Sequence, residues 1–160
     1  MAMPLRAPIR IPTYTTDDLR KFLARLQHAL STYLVPTGLA YCTSPGEIEI
    51  KPKVLLDPDL LVFPRPRSLK TSWTRIRGWW LAAEVSGRSS RVYDRDFKRD
   101  AYLALGVREV WLLDLREEQV LVSRAGEPKD VPYRDRLVWH PCEMPAPLTI
   151  DLRAIFADLG

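Results

Sequence analysis

The stretch WWLAAEVSGRSSRVYDRDFKRDAYLALGVREVWLLD, residues 79–114, decides the fold. Its first seven residues, Trp79 to Val85, carry apolar side chains on both faces and read as a buried strand, interrupted only by Glu84. Small and charged residues follow. Ser89 or Ser90 then suits the cap of a helix running to about Leu105, with Gly106 as its stop and Val107 as the apolar residue beyond. Val110 to Leu113 is a second buried strand. A strand, a helix and a strand in this order predict a parallel pair joined by a right-handed crossover.

Outward from this unit the pattern stays that of a layered α/β domain. Thr15 and Thr16, followed by Asp17 and Asp18, resemble a helix start with carboxylates at the positive end of the dipole. Leu19, Phe22, Leu23, Leu26, Leu30 and Tyr33 recur at helical spacing until Pro36 and Gly38, so their stripe is expected against a sheet. Strands are predicted at Leu39 to Thr43, at the alternating Glu47 to Lys51 and at Asp59 to Phe63, together as a meander. Gln119 to Ser123 forms a hairpin with the strand before it, in which Trp111 and Leu113 alternate with Leu112 as core and Asp114 marks the turn. Residues 125–147 are polar and hold a strand near Leu137 to Trp139, and Asp151 caps a short last helix. The expected architecture is a mixed β-sheet flanked by helices, with an extended lead-in over 1–14 and a single domain over 15–160.

The bulk properties narrow the function. The 160 residues are 46% hydrophobic and 28% charged, enough for a core without metal or disulfide staples. A net charge of +4 permits nucleic-acid binding without requiring it. The only cysteines, Cys42 and Cys142, form no CxxC pair and fit a reducing cytoplasm. No signal peptide or run of about 18 apolar residues is present, which predicts a cytoplasmic chain with no membrane span. There is no P-loop, GxGxxG or nucleophile elbow, and His28 and His140 are isolated.

Three charges remain as a candidate site. Asp59 stands at the head of an apolar strand, where an acid is often only a turn residue. Glu84 stands near the end of another, where a carboxylate must be paired, protonated, metal-bound or able to reach water. Lys98 shares a helix face with Arg91, Asp94 and Tyr102, and an exposed Asp94–Lys98 pair would account for it alone. Taken together, two acids and a lysine are what metal-dependent phosphodiester hydrolysis requires. Asp59, Glu84 and the Val85 carbonyl would hold a hard divalent cation, Mg²⁺ or Mn²⁺. Lys98 would position water or neutralise charge developing on phosphorus.

The segments LDPDLLVF, LAAEVSGRSS, YDRDFKRDAYLALGVREVWLLD and PLTIDLRAIF carry a resemblance. Over roughly residues 50–157, and weakly over the first helix, the chain resembles the Uma2 family, also called DUF820, of the PD-(D/E)xK restriction-endonuclease-like nucleases. The resemblance implies that fold, with Pro58-Asp59 as the PD, Glu84 as the second acid, Lys98 as the lysine displaced onto the following helix, and Asp94 and Tyr102 in support. Ser86 occupies the place two residues after the acid where the wider superfamily keeps its lysine. The chain departs from the family in lacking the initial Tyr-Glu-Leu and Asp-Gly hairpin, which removes a possible further acid; Glu47 and Glu49 are the candidates to replace it. The loop PRPRSLKTSWTRIRG, residues 64–78, holds Arg65, Arg67, Lys70, Arg75 and Arg77 and no acid, and could follow a DNA backbone. Three functions are expected in competition: an Mg²⁺-dependent DNA endonuclease, a homodimer by analogy with the fold; a non-catalytic nucleic-acid-binding or assembly module that keeps it; and, more weakly, a structural protein–protein module with exposed tryptophans as its interface.

Overall fold

A computed structural model describes residues 14–66, 76–86 and 92–159, with main chain only at 86 and 92–94. Thr15 caps α1 (Thr16–Leu34) through its hydroxyl, which accepts from the Asp18 N–H at 3.1 Å, while Asp18 bonds back to Thr15 in a capping box. Phe22, Leu26, Leu30 and Leu34 form the buried stripe of α1. The chain then enters β1 (Ala40–Thr43), β2 (Ile48–Lys51), β3 (Val54–Leu56), β4 (Leu60–Pro64) and β5 (Leu81–Ser86). Helix α2 (Val92–Ala104) leads to β6 (Glu109–Asp114) and β7 (Gln119–Arg124). After β8 (Val131–Tyr133), β9 (Arg136–Trp139) and β10 (Leu148–Asp151), Asp151 caps α3 (Leu152–Phe156).

Among the described residues six strands form one sheet in the order β1-β4-β5-β6-β7-β8. Only β5 and β6 are parallel in it, and α2 makes the crossover between them. The anticipated mixed sheet flanked by helices is therefore present. The anticipated meander is not, because β1 pairs directly with β4, from Ala40↔Pro64 to Thr43↔Leu61. Strands β2 and β3 form a hairpin of their own outside the main sheet, as do β9 and β10. Strand β5 also begins later than apolarity alone suggests. Gly78, at φ 78°, turns the chain into Trp79 and Trp80. Both tryptophans are buried and bonded to their neighbours, Trp80 N–H to the Val62 carbonyl and the Trp79 carbonyl to Arg108 N–H, but they precede the regular ladder.

Alternation along the strands separates two cores. One face carries Leu60, Val62, Leu81, Ala83, Trp111 and Leu113 and is covered by α1, α3 and the β9–β10 hairpin. The other carries Leu61, Ala82, Val110 and Leu112 and is covered by Tyr102 and Val107 of the α2 region and by Ile48 of β2. The first cover is locked by Arg25, which donates to the Ile155 and Ala157 carbonyls at 3.0 and 2.6 Å, and by Phe22 against Phe156. The second is locked by Gly106, at φ 95°, which closes α2 with Val107 N–H on the Tyr102 carbonyl at 3.0 Å. Arg99, buried on α2, adds ion pairs to Asp96, Asp100 and Asp130.

Candidate active site

Register explains how two carboxylates come together. Strands β4 and β5 are antiparallel, and their last regular pair is Leu60↔Ala83. One position further, Asp59 falls opposite Glu84. Side chains at facing positions lie on the same side of a sheet, about 5 Å apart at Cβ, and like charges there repel. Because Leu60 and Ala83 face the α1 core, Asp59 and Glu84 face the α2 side. Asp59 and Glu84 are close enough for each to feel the other's charge.

Helix α2 supplies the remaining groups. Tyr102 and Lys98 are four residues apart, on one face of the helix. The buried Tyr102 hydroxyl donates to Glu84 Oε1. The Lys98 ammonium lies 3.7 Å from Glu84 Oε2, and its side chain is 46% exposed, so the cluster opens to solvent on that side. Lys98 thus meets Glu84, its partner across the crossover. The Asp94 side chain and Arg91 lie outside the described residues. Asp59 is half-buried, and its Oδ2 accepts the Val85 N–H at 2.8 Å. That bond ties the head of β4 to the end of β5 beyond their ladder.

The electrostatics follow from this crowding. Burial pushes the Glu84 carboxyl from its ordinary 4.5 up to about 7; the Tyr102 hydroxyl and Lys98 oppose the rise, and Asp59 adds to it. Burial first, and then the negative charge of Glu84, raise the Tyr102 hydroxyl far above the physiological range, so it remains a donor. Two facing carboxylates with one half-exposed ammonium leave the cluster short of positive charge, a deficit that a divalent cation suits. The donors on hand, Asp59 and Glu84, are hard oxygens, the class preferred by Mg²⁺ and Mn²⁺ and unlike the His and Cys of a structural zinc site. Among the described residues no group of three or more His, Cys, Asp or Glu gathers in metal-holding geometry, so neither Glu47 nor Glu49 joins the pair as a third acid. Such a pair suits a cation that keeps several waters.

Only the two ends of the basic loop are described. Arg67, Lys70 and Arg75 lie outside the described residues. Arg65 follows β4 and Arg77 precedes β5, at the end of both strands opposite the carboxylates, roughly 20 Å away at strand rise. Both are exposed, but Arg77 already donates to the Glu49 carbonyl at 2.9 Å and lies over the Trp79 ring.

Sequence reasoning overlooked the turn Ser44-Pro45-Gly46. Ser44 Oγ donates to the Asp59 carbonyl at 2.7 Å, and Gly46 N–H donates to the Pro58 carbonyl at 2.8 Å. A Pro-Gly pair signals a turn, but nothing in the sequence says that this turn grips the Pro58-Asp59 step.

The model of the Uma2 family, described as "Putative restriction endonuclease", matches residues 9–153. The chain belongs to the Uma2 family. The match takes in all of α1, to which the resemblance read from motifs extends only weakly. Among solved structures the chain is similar to "a putative nuclease belonging to DUF820 from Anabaena variabilis ATCC 29413". The TM-score is 0.75 at 17% identity, over 93% of this chain and 85% of that one. At that identity the likeness establishes a shared fold. No curated protein matches the chain. Among the described residues no helix is long and apolar enough to cross a membrane.

Proposed function

We propose that this Uma2 protein is a divalent-metal-dependent endonuclease that hydrolyses phosphodiester bonds in DNA. The observation that carries the reading is the facing pair Asp59 and Glu84 at the open end of the β4–β5 ladder, with Lys98 beside it. Asp59, Glu84 and the Val85 carbonyl hold Mg²⁺ or Mn²⁺, with Asp94 in support. When bound, the cation polarises a phosphoryl oxygen and lowers the pKa of a water.

The chain's own groups have separate tasks. Val85 N–H holds the Asp59 carboxylate through Oδ2. Tyr102 fixes Glu84 Oε1, so Oε2 is the oxygen turned toward Lys98. Lys98, held by one long ion pair and half exposed, can move from Glu84 to the phosphate, where it orients the attacking water or offsets charge developing on phosphorus. Arg65, Arg67, Lys70, Arg75 and Arg77 add salt-sensitive contacts to the DNA backbone.

The test is nicking of supercoiled plasmid with Mg²⁺ or Mn²⁺. Wild type cleaves, whereas Asp59→Asn and Glu84→Ala do not, and EDTA stops the reaction. Equal cleavage by wild type and Glu84→Ala would mark a contaminant and remove the proposal. That no third acid joins the pair among the described residues favours a second reading, a non-catalytic DNA-binding module. That reading predicts salt-sensitive DNA retention without metal-dependent turnover.

A further inference from the structure

Asp59 is displayed by main chain that the sheet itself does not hold. The β4–β5 ladder ends at Leu60↔Ala83, and the β1–β4 ladder ends at Thr43↔Leu61. Beyond Thr43, Pro45 has no N–H with which to continue pairing. The segment 44–46 supplies two other donors to the same step of the chain, Ser44 Oγ to the Asp59 carbonyl at 2.7 Å and Gly46 N–H to the Pro58 carbonyl at 2.8 Å. Both carbonyls flanking the Asp59 N–Cα–C unit are therefore held from one side, while the carboxylate is held from the other by Val85 N–H. Gly46 also lies directly on β4. A Cβ there would overlap Leu61 Cβ and press on Pro58 Cγ at 3.1 Å, so the close approach requires glycine.

We infer that Ser44 and Gly46 are positioning residues for Asp59: the turn 44–46 fixes the main chain on either side of it and thereby aims its carboxylate at the cation shared with Glu84. The inference rests on the metal-nuclease reading above. Ser44 touches neither cation nor phosphate. It acts through the direction in which Asp59 leaves the strand, as groups behind a metal ligand do when they set its orientation.

The experiment measures Mn²⁺ binding by calorimetry without DNA, and the Mn²⁺ dependence of plasmid nicking, in wild type, Ser44→Ala, Ser44→Thr and Asp59→Asn. Ser44→Ala should weaken Mn²⁺ binding about tenfold and raise the half-saturating Mn²⁺ concentration to match. Turnover at saturating Mn²⁺ should stay within about twofold, because the same ligands are present once metal is bound. Ser44→Thr keeps the hydroxyl and should restore binding to within about twofold. A merely structural role would lower folded yield in both variants without separating metal affinity from saturated turnover. Gly46→Ala should weaken Mn²⁺ binding at least as much as Ser44→Ala. Wild-type metal affinity in a folded Ser44→Ala protein, with Asp59→Asn impaired, overturns the inference alone. Equal Mn²⁺ binding by wild type and Asp59→Asn overturns the metal-nuclease reading and the inference with it.

Discussion

Two buried glutamates on adjacent strands receive opposite treatment. Glu109, at the start of β6, accepts from Arg124 at 3.2 Å through both carboxylate oxygens and from the Trp111 indole at 2.8 Å. Glu84, near the end of β5, has a neutral phenol, an ammonium at 3.7 Å and a second carboxylate beside it. Exposure is nearly the same, 6% and 7%. Glu109 is a carboxylate whose charge the fold has answered, and it braces β6 against β7. Glu84 is one whose charge the fold has left short, at an opening to solvent. Burial therefore does not separate a structural acid from a candidate ligand here; the balance of partners does.

The largest difference should appear in activity. Glu84→Gln should cut metal-dependent nicking at least about 100-fold, whereas Glu109→Gln should leave it unchanged per folded molecule. Equal losses in the two variants would erase the distinction.

Next comes pH. Glu84 titrates near 7 in the folded chain and near 4.5 when unfolded, so between those values the folded state holds a proton that the unfolded state has lost. The resulting stabilisation is whole below pH 4.5 and gone above about 7, a difference on the order of 3 kcal/mol. Thermal melts of the metal-free protein should show wild type losing stability relative to Glu84→Gln as pH rises through this window. Mg²⁺ should raise the melting temperature more at pH 8 than at pH 5.5. A pH-independent difference between the two proteins would place Glu84 among acids already neutralised.

Glu109→Ala should then cost about 2 kcal/mol in chemical denaturation, since it leaves Trp111 Nε1 without its acceptor and Arg124 with the more distant Glu127 carboxylate at 3.7 Å in place of Glu109 at 3.2 Å. The smallest effect is that of Tyr102→Phe. Loss of the hydroxyl frees Glu84 Oε1 and should weaken Mn²⁺ binding by about tenfold. Unchanged binding would mean that Tyr102 only fills the core.

Much of this was legible in the residues. The period of α1, the Thr15 start, the β5–α2–β6 unit and the Gly106 stop all follow from patterns that local chemistry enforces. Asp59, Glu84 and Lys98 stood out because charges interrupt apolar runs, and the structure brings all three together. What could not be read depends on pairing. Residues 48–56 look like any exposed strand, but they leave the sheet as a hairpin, with Ile48 buried in the core and Leu56 packed against it. Strand β8 hides behind Pro132, which an edge strand tolerates. Arg65 and Arg77 lie within 20 positions of Asp59 or Glu84, yet antiparallel pairing sends them to the opposite end. The role of Ser44 was invisible because it is a contact to main chain, which no side-chain pattern announces.

The most direct test of the central claim is an anomalous difference map from crystals grown with Mn²⁺. The account predicts one strong peak between the Asp59 and Glu84 carboxylates, with metal–oxygen distances of about 2.0–2.2 Å. An ordered Asp59–Glu84 pair with no peak between them, or with Lys98 alone answering both charges at saturating Mn²⁺, would contradict it.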